Sequence, residues 1–504
     1  MAIAAARPED YTGFQRAIIL ATVTMATTLY ATTILVVSVI LPQMQGSLSA
    51  TQDQIAWVVT FNILATAVAT PMTGWLAGKF GRRKTMIYCQ LGFLVSTLAC
   101  GFAPNLELLV IARVFQGAFG APIVPLAQAT ILDTFPKEKQ AFGTAIFGMG
   151  VVIGPVIGPV LGGYLADIYN WRWAFYMIVP AAALALAALA LFLPESRNRS
   201  TAKLDWTGFL TLIVSVGAMQ LMLDRGNRQD WFQSFEIMIE AGIAILALYL
   251  FIVHSLTTKN PFLNLRHLLD RNYALGLMFV TVYGMLNFTP MVLFPPMLQG
   301  LMGYPNAIIG ELLGARGGGA ILGFFAAMWI SKLDPRIGLL FGCAVQAASG
   351  MWMMSFSLDV SFQEVATASA LQGFSVGIIW PPLTVATFRT IDSKYLAETS
   401  AIFHLLRNLG SSVFISLSIT TLVRSTTVNY GRLAEFITPY NENLQGAIAL
   451  GAADPGAADG LARISVAVAK QAGMLGFLDA FTLYTAACFA VFLMIPLFRI
   501  RTAA

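Results

Sequence analysis

Charge is what this sequence has least of. Of its 504 residues only 11% are Asp, Glu, Lys or Arg, while 57% are hydrophobic. An average soluble protein carries about 25% charged and about 45–50% apolar residues. The length alone would allow roughly three soluble domains, but there are too few charges here to coat them. Cysteine is also scarce: Cys89, Cys100, Cys343 and Cys488 all fall inside apolar runs, with no CxxC. They read as buried free thiols rather than as a disulfide framework or a metal site. There are three histidines, His254, His267 and His404. No HExxH, paired metal ligands or nucleophile elbow is read, which argues against a membrane enzyme, and no GxxxxGK[ST] supports ATP coupling. Metal and cofactor are therefore both expected to be none. The basic residues that give a net charge of +5 are dispersed among loops, so no nucleic-acid partner is expected.

Long apolar runs fill the remainder, and each is a candidate membrane span. They fall at 17–41, 55–77, 85–102, 107–131, 142–165, 173–194 and 206–224, then at 235–257, 272–297, 306–330, 337–357, 361–388, 398–423 and 475–498. Their lengths, and the lack of strict alternation, predict fourteen helices rather than barrel strands. The first run follows Arg7 and Arg16, is too long for a signal-peptide core, and leads at once into another, so it reads as an uncleaved helix. With the N-terminus inside, twenty Lys and Arg fall in inner segments and seven in outer loops, while Arg113, Arg316 and Arg407 lie within spans. That bias places both termini in the cytoplasm.

An internal repeat is visible. Gln116-Gly117 is followed by Pro125 as Gln372-Gly373 is followed by Pro381, an offset of 256 that also lays Gly154 over Gly410. Chance recurrence of Gly and Pro is the competing reading. A parallel repeat of two six-span halves is a transporter architecture. It divides the chain into an N-terminal bundle at 1–203, two inserted spans at 204–258 and a C-terminal bundle at 259–504. A long outer loop at 424–474, Gly/Ala-rich in part, reads either as a flexible linker or as a docking surface.

Three motifs carry mechanism. After the second span come Gly74, Gly81, Arg82, Arg83 and Lys84, glycines for a tight turn and cations for helix ends or acids across an interface. A plain positive-inside anchor is the alternative. In the fourth span Arg113 and Gln116 share a helical face; burial of a charge there points to function, and snorkelling to the outer surface is the alternative. The fifth span carries Gly150, Gly154, Pro155, Gly158, Pro159 and Gly162, a groove for close packing with two bends, read as a gating helix or as a static one. Glu311 and Arg316, five residues apart, are expected to pair, which would hold a carrier acid ionised. His404 lies on one face with Arg407 and titrates near neutral pH, or is an ordinary core histidine.

These motifs, with Pro71-Met-Thr-Gly-Trp-Leu-Ala77, Trp171-Arg-Trp-Ala-Phe175, Leu223-Asp-Arg-Gly226, Ala315-Arg-Gly317 and Arg407-Asn-Leu-Gly-Ser411, resemble the major facilitator superfamily. More narrowly the chain is similar to its fourteen-span drug:proton antiporters of the EmrB/QacA type, over roughly residues 15–500. The resemblance implies an all-α membrane fold of two six-helix bundles plus two inserted helices. It implies export of small hydrophobic substrates by proton antiport, with the fifth-span run as antiporter motif and Arg113 linked to proton coupling. Beside membrane lipid, it implies a periplasmic adaptor and an outer-membrane channel as partners, in a bacterial inner membrane. Two departures stand out: Gly78 occupies a position often Asp in that family, and the first span has no acid between Thr27 and Leu41, with Thr33 near the aligned position.

The expected proton-coupling set is therefore Arg113, Glu311, Arg316, His404 and Arg407. The carboxamides Asn62, Gln116, Gln128, Asn287 and Gln372 are expected to line the substrate cavity. A dedicated transporter of one lipid, siderophore or metabolite, without proton antiport, is the alternative function.

Overall fold

The computed structural model describes residues 11–195, 204–330, 335–438 and 458–492, with positions 441, 445 and 495. Most of these residues are helical, and no strand occurs among them. In hydrocarbon the backbone must satisfy its own hydrogen bonds, so apolar runs of this length become helices. Arg7, Arg197, Arg199, Lys203, Lys332, Arg499, Arg501 and the expected boundary at 203 lie outside the described residues, as does the side chain of Pro159.

The first half holds α1 (Gly13–Ser47), α2 (Gln52–Ala69), α3 (Met72–Phe80), α4 (Arg82–Phe102), α5 (Leu106–Gly120), α6 (Ile123–Thr134), α7 (Gln140–Ile168), α8 (Trp173–Tyr176) and α9 (Ile178–Phe192). The inserted pair is α10 (Trp206–Arg225) and α11 (Phe235–Thr257). The second half holds α12 (Arg271–Gly300), α13 (Asn306–Ile330), α14 (Pro335–Met353), α15 (Phe362–Phe388), α16 (Leu396–Glu435) and α17 (Ala458–Phe492). Capping boxes at Thr12/Gln15, Thr51/Gln54 and Ser361/Glu364 start three of these helices, each satisfying two otherwise orphaned backbone donors.

The count of fourteen spans is not confirmed, and two further expectations are modified. Among the described residues twelve helices are long and apolar enough to cross a membrane, thirteen if α2 and α3 count as one span bent by 55°. Fourteen is not reached on that measure, because α14 is 19 residues long, begins with Pro335-Arg336 and carries three glycines and Gln346. The second and fourth spans are each broken, at Pro71 and Pro122, where proline removes a helical donor. The loop expected over 424–474 is largely helix, since α16 runs on to Glu435 and α17 begins at Ala458. Only part of that loop, 439–457 save two positions, lies outside the described residues. The rest is polar enough to leave the membrane yet rich in good helix formers.

Glycines set the packing. A Cβ at Gly154 would sit 2.5 Å from the Thr28 carbonyl oxygen and one at Gly158 would sit 2.7 Å from that of Thr32. Gly150 and Gly162 face the side-chain methyls of Thr24 and Val36, so four glycines of α7 mesh with every fourth residue of α1. The 256-residue offset recurs in these contacts. A Cβ at Gly410 of α16 would lie 2.3 Å from the Thr281 carbonyl oxygen of α12, as one at Gly154 would press on α1. A Cβ at Gly117 would lie 2.4 Å from the Asn62 carbonyl oxygen, and one at Gly373 would lie 2.0 Å from that of Arg316. The fifth-span helix is continuous through both proline positions, from Gln140 to Ile168.

The halves meet where α7 packs on α13, with Gly148 against Phe324 and Gly317 against Val156, and where α16 packs on α3 and α6. The inserted α10 touches both halves. Asp224 accepts from Thr60 of α2, and Ser416 of α16 donates 2.7 Å to the Leu223 carbonyl. At its other end Asp205 caps α10 through Gly208 N (3.1 Å), accepts from Phe262 N (3.0 Å) and contacts His254 of α11 (2.8 Å). Partial burial pushes the Asp205 carboxyl up, but hydrogen bonds from Gly208 and His254 and that from Phe262 outweigh it and hold it below the usual carboxylate range.

Two predictions follow from this packing. Gly154→Ala lowers the thermal unfolding midpoint of the purified protein, through about 1–3 kcal/mol of overpacking. Gly242→Ala, with nothing within 4 Å of the new Cβ, leaves it unchanged. Because the folded-state pKa of Asp205 is depressed, its stabilisation is present above the unfolded pKa and disappears as pH falls through the folded one. Asp205→Ala therefore lowers the midpoint at pH 7, and the difference from wild type closes in strong acid.

Candidate functional site

Each half buries one guanidinium against the same carboxamide position. In the first half Arg113, 1% exposed, donates Nε to the Val58 carbonyl (3.2 Å) and a terminal nitrogen to Gln116 Oε1. Gln116 Nε2 passes the chain on to Thr97 Oγ1 at 2.8 Å, and Asn62 Nδ2 donates to the Arg113 carbonyl at 2.8 Å. Arg113 is thus held inside the bundle and does not snorkel.

In the second half Ser369 stands 256 residues after Arg113, and the cation comes instead from the neighbouring helix. Arg316 of α13 donates Nε to Gln372 Oε1 (2.6 Å) and a terminal nitrogen to Asn287 Oδ1 (2.6 Å) and to the Asn287 carbonyl (2.9 Å). Its other terminal nitrogen meets the Met291 sulfur at 3.9 Å. Gln346 and Tyr484 hydrogen-bond beside it, and Ser375 donates to Gln346. Asn287, Gln346, Tyr283 and Cys343 border a cavity of about 10 Å³ within this half, room for about one water. Carboxamide and carbonyl oxygens thus offset the several kcal/mol that burying each cation costs, with no carboxylate in either set.

A third cluster lies between the halves. His404 Nε2 of α16 bonds Gln128 Oε1 of α6. The His404 ring lies tilted at 45°, with its centroid 5.9 Å from that of Trp380 of α15, and the Arg407 guanidinium lies 5.6 Å from the Trp380 ring centre. Nearer the end that carries the Gly81 turn, Arg82 bonds Asp133 (2.9 Å) and the Ser393 carbonyl of the second half (2.8 Å). Gly81 takes φ +84°, the left-handed region that glycine adopts without strain. Gly74 permits contact with Glu398, whose Cα would lie 2.8 Å from a Cβ there. Glu398 in turn accepts from Asn264 N at 2.8 Å. Arg83 donates to the Ala190 carbonyl within its own half, and Lys84 is exposed.

The expected Glu311–Arg316 pair does not form. Five residues along a helix place two side chains about 140° apart; Arg316 turns into the bundle and Glu311 is exposed. Of the five carboxamides expected to line a substrate cavity, Asn287 borders the small cavity within the second half, and Asn62, Gln116, Gln128 and Gln372 are buried in hydrogen bonds. His404 and Arg407 do come together, as their three-residue spacing implies. Gly373-Phe-Ser-Val-Gly377 carries the letters of a nucleophile elbow after all. It lies in the middle of α15, with Ser375 Oγ donating 2.8 Å to the Gly342 carbonyl, not on the strand-to-helix turn that chemistry needs. Sequence reasoning passed over Trp380, although it directly precedes the repeat's Pro381. It also passed over Tyr30 and Tyr484, whose polar tips inside apolar runs were the available signal.

Comparison with known proteins agrees with this architecture. The Major Facilitator Superfamily pattern matches residues 23–415. The multidrug export protein EmrB of Escherichia coli (strain K12) is 32% identical over 448 residues, 86% of this chain and 85% of that protein. The multidrug export protein EmrB of Haemophilus influenzae is 33% identical over 419 residues, 81% of this chain and 80% of that one. A structure of the proton:xylose symporter XylE superposes with a TM-score of 0.59 over 93% of this chain and 95% of that one. At 13% identity that last likeness concerns the fold alone.

The buried networks predict a specific energetic signature. Gln372→Leu strips Arg316 of its 2.6 Å acceptor and costs about 1.5–3 kcal/mol. Arg316→Met combined with Gln372→Leu is less destabilising than the sum of the single changes, as a double-mutant cycle on thermal unfolding will read.

Proposed function

The chain belongs to the major facilitator superfamily, among the relatives of the EmrB exporters, and on that premise we propose that it pumps hydrophobic and amphipathic compounds out of the cell by alternating access, driven by proton antiport. The observation that carries this reading is the way the halves are joined. Each half is bound internally by glycine-to-carbonyl contacts, whereas the bonds between them near the Gly81 turn are single and breakable: Arg82 to Ser393 and Gln128 to His404. Breaking these bonds would let the halves rock apart at that end about the α7–α13 contact, opening a path to the midplane.

The excess of Lys and Arg at that end favours a cytoplasmic placement, with both termini inside a bacterial inner membrane. The proton step is assigned to His404, whose ring joins both halves. Its Nδ1 is buried without a partner. A proton there would place a second cation one turn from Arg407 on α16. The gradient supplies about 2.3 kcal/mol per charge per 100 mV, with no cofactor needed. On the opposite side α16 and α17, at 40 and 35 residues, reach about 60 and 52 Å across a hydrocarbon core of about 30 Å. Their projecting ends offer a surface for a periplasmic adaptor, which would pass substrate on to an outer-membrane channel.

The reading is tested by efflux of a lipophilic dye from proteoliposomes, with and without a proton uncoupler. Dye efflux that stops with the uncoupler is expected. His404→Gln, which keeps a hydrogen bond but does not titrate, removes the uncoupler-sensitive part. Its loss in Glu311→Gln alone would assign the proton to Glu311 instead. Movement of one endogenous solute and no dye would make the protein a dedicated transporter.

A further inference from the structure

A hydroxyl inside a membrane helix has a partner ready to hand, the carbonyl one turn back. Thr387 of α15 donates 2.7 Å to the Leu383 carbonyl, and Thr399 of α16 donates 2.9 Å to that of Tyr395. Thr130 and Thr134 of α6 bond back in the same way at 2.7 Å. Ser400 of α16 and Thr384 of α15 do not. Both are fully buried, and neither hydroxyl has a partner among the described residues. Each also lies one helical turn from another orphaned polar atom. Ser400 is four residues before His404, whose Nδ1 is unpartnered, and Thr384 is four after Trp380, whose indole N–H is unpartnered. Residues four apart share a helical face. Thr24, Ser255 and Ser418 also lack partners, but none of them has an orphaned neighbour one turn away.

The two pairs belong to one seam. The His404 and Trp380 ring centroids are 5.9 Å apart, and those of Phe403 and Phe388 are 5.2 Å apart, so α15 and α16 stay side by side along it. The first half closes the seam with Gln128, whose Oε1 bonds His404 Nε2 while its own Nε2 is a buried donor without an acceptor. From this layer all three helices run toward the Gly81 end. There α6 carries Asp133, bonded to Arg82, and the turn before α16 carries Ser393, whose carbonyl Arg82 holds to the first half. The rise from His404 to Ser400 is about 6 Å, which two hydrogen bonds of about 2.8 Å cover.

The orphaned atoms differ in kind, and that fixes what can serve them. Trp380 Nε1 and Gln128 Nε2 only donate. His404 donates Nε2 to Gln128, so Nδ1 of the neutral ring accepts, and the two hydroxyls do both. An anion would satisfy the donors alone and a cation the acceptors alone. Water satisfies both, and buried polar groups otherwise unsatisfied are where ordered water is held.

We propose that the seam from His404 past Ser400 and Thr384 to the Arg82–Ser393 bond is a water file by which the translocated proton leaves the protein at the Gly81 end. This rests on the assignment of the proton step to His404 and adds its exit. As the halves part at that end, water enters between the two hydroxyls. The Nδ1–H bond of the protonated ring breaks as the first water takes the proton. That water passes one of its protons to the next, and the last gives one up at the mouth. Each oxygen ends as neutral water, and the ring returns to its neutral form with Nδ1 again an acceptor. Ser400 and Thr384 are positioning residues that hold the file in line, while Phe388 and Phe403 keep its flank apolar.

Indole N–H exchange in the purified full chain, labelled with nitrogen-15 at tryptophan, reads the file without any transport step. Trp171 is the reference: at 2% exposed it is as buried as Trp380 at 4%, but its Nε1 donates 2.6 Å to Ser47. Trp380 is expected to exchange with D2O about tenfold or more faster than Trp171, because it has no bond to break and solvent reaches it. Ser400→Ala combined with Thr384→Val slows Trp380 toward the Trp171 rate and slows uncoupler-sensitive dye efflux. Thr384→Ser, which keeps the hydroxyl, keeps the exchange fast. Equal exchange at the two indoles in wild type, or Trp380 exchange untouched by loss of both hydroxyls, overturns the proposal. The wild-type comparison decides even if the double variant does not fold. Fast Trp380 exchange without uncoupler-sensitive efflux would remove the antiport reading alone, whereas uncoupler-sensitive efflux with Trp380 as slow as Trp171 would remove the water file alone.

Discussion

Between helices in hydrocarbon there is no hydrophobic force to draw apolar surfaces together, so close backbone approach must supply the cohesion. Everything else in this molecule depends on that constraint. Gly154 and Gly158 bring α7 onto the carbonyls of α1, and Gly410 brings α16 onto α12. Gly117 and Gly373 do the same for the pairs α2–α5 and α13–α15. Contacts that close leave no space for a methyl group, and they lock each half into one arrangement. The freedom that remains lies between the halves, where side chains rather than backbones meet.

That division explains where the charges are. A guanidinium inside a locked half needs fixed acceptors, and Arg113 and Arg316 have them from Gln116, Gln372, Asn287 and backbone carbonyls. The same carboxamide position serves both halves, while the cation arrives from its own helix in one and from the neighbouring helix in the other. A cation between the halves has no such fixed shell. Arg407 is left with Asn408 and the Trp380 face, and its field falls on whatever enters the interface. The inserted α10, bonded to α2 through Asp224 and to α16 through Leu223, spans the two halves on one flank and limits how far they can separate there.

Much of this was legible in the sequence, for identifiable reasons. Run length placed helices at every expected span, because backbone hydrogen bonding in lipid leaves few alternatives. The Gln-Gly and Gly repeats marked the contacts that later proved equivalent, because glycine at an interface is a steric requirement and leaves a fixed spacing. Pairing was not legible. Glu311 and Arg316 are close in sequence but diverge around the helix, and the true partner of Arg316, Gln372, is 56 residues away on another helix. The long outer loop was misread because polarity signals departure from the membrane, not the end of a helix. The interface cluster was half visible. The spacing of His404 and Arg407 announced a shared face, but only the fold brings Gln128 across to meet them.

Motion of one half against the other is the central claim, and a distance measurement reaches it most directly. Lys139 and Lys394 are exposed, one on each half near the Gly81 turn, and the four native cysteines are buried. Spin labels attached through Lys139→Cys and Lys394→Cys therefore report the separation across that end. Pulsed dipolar spectroscopy in lipid should give a short distance matching the closed arrangement and, on acidification or addition of substrate, a second, longer population. A single distance that no change of pH, gradient or substrate redistributes would contradict alternating access.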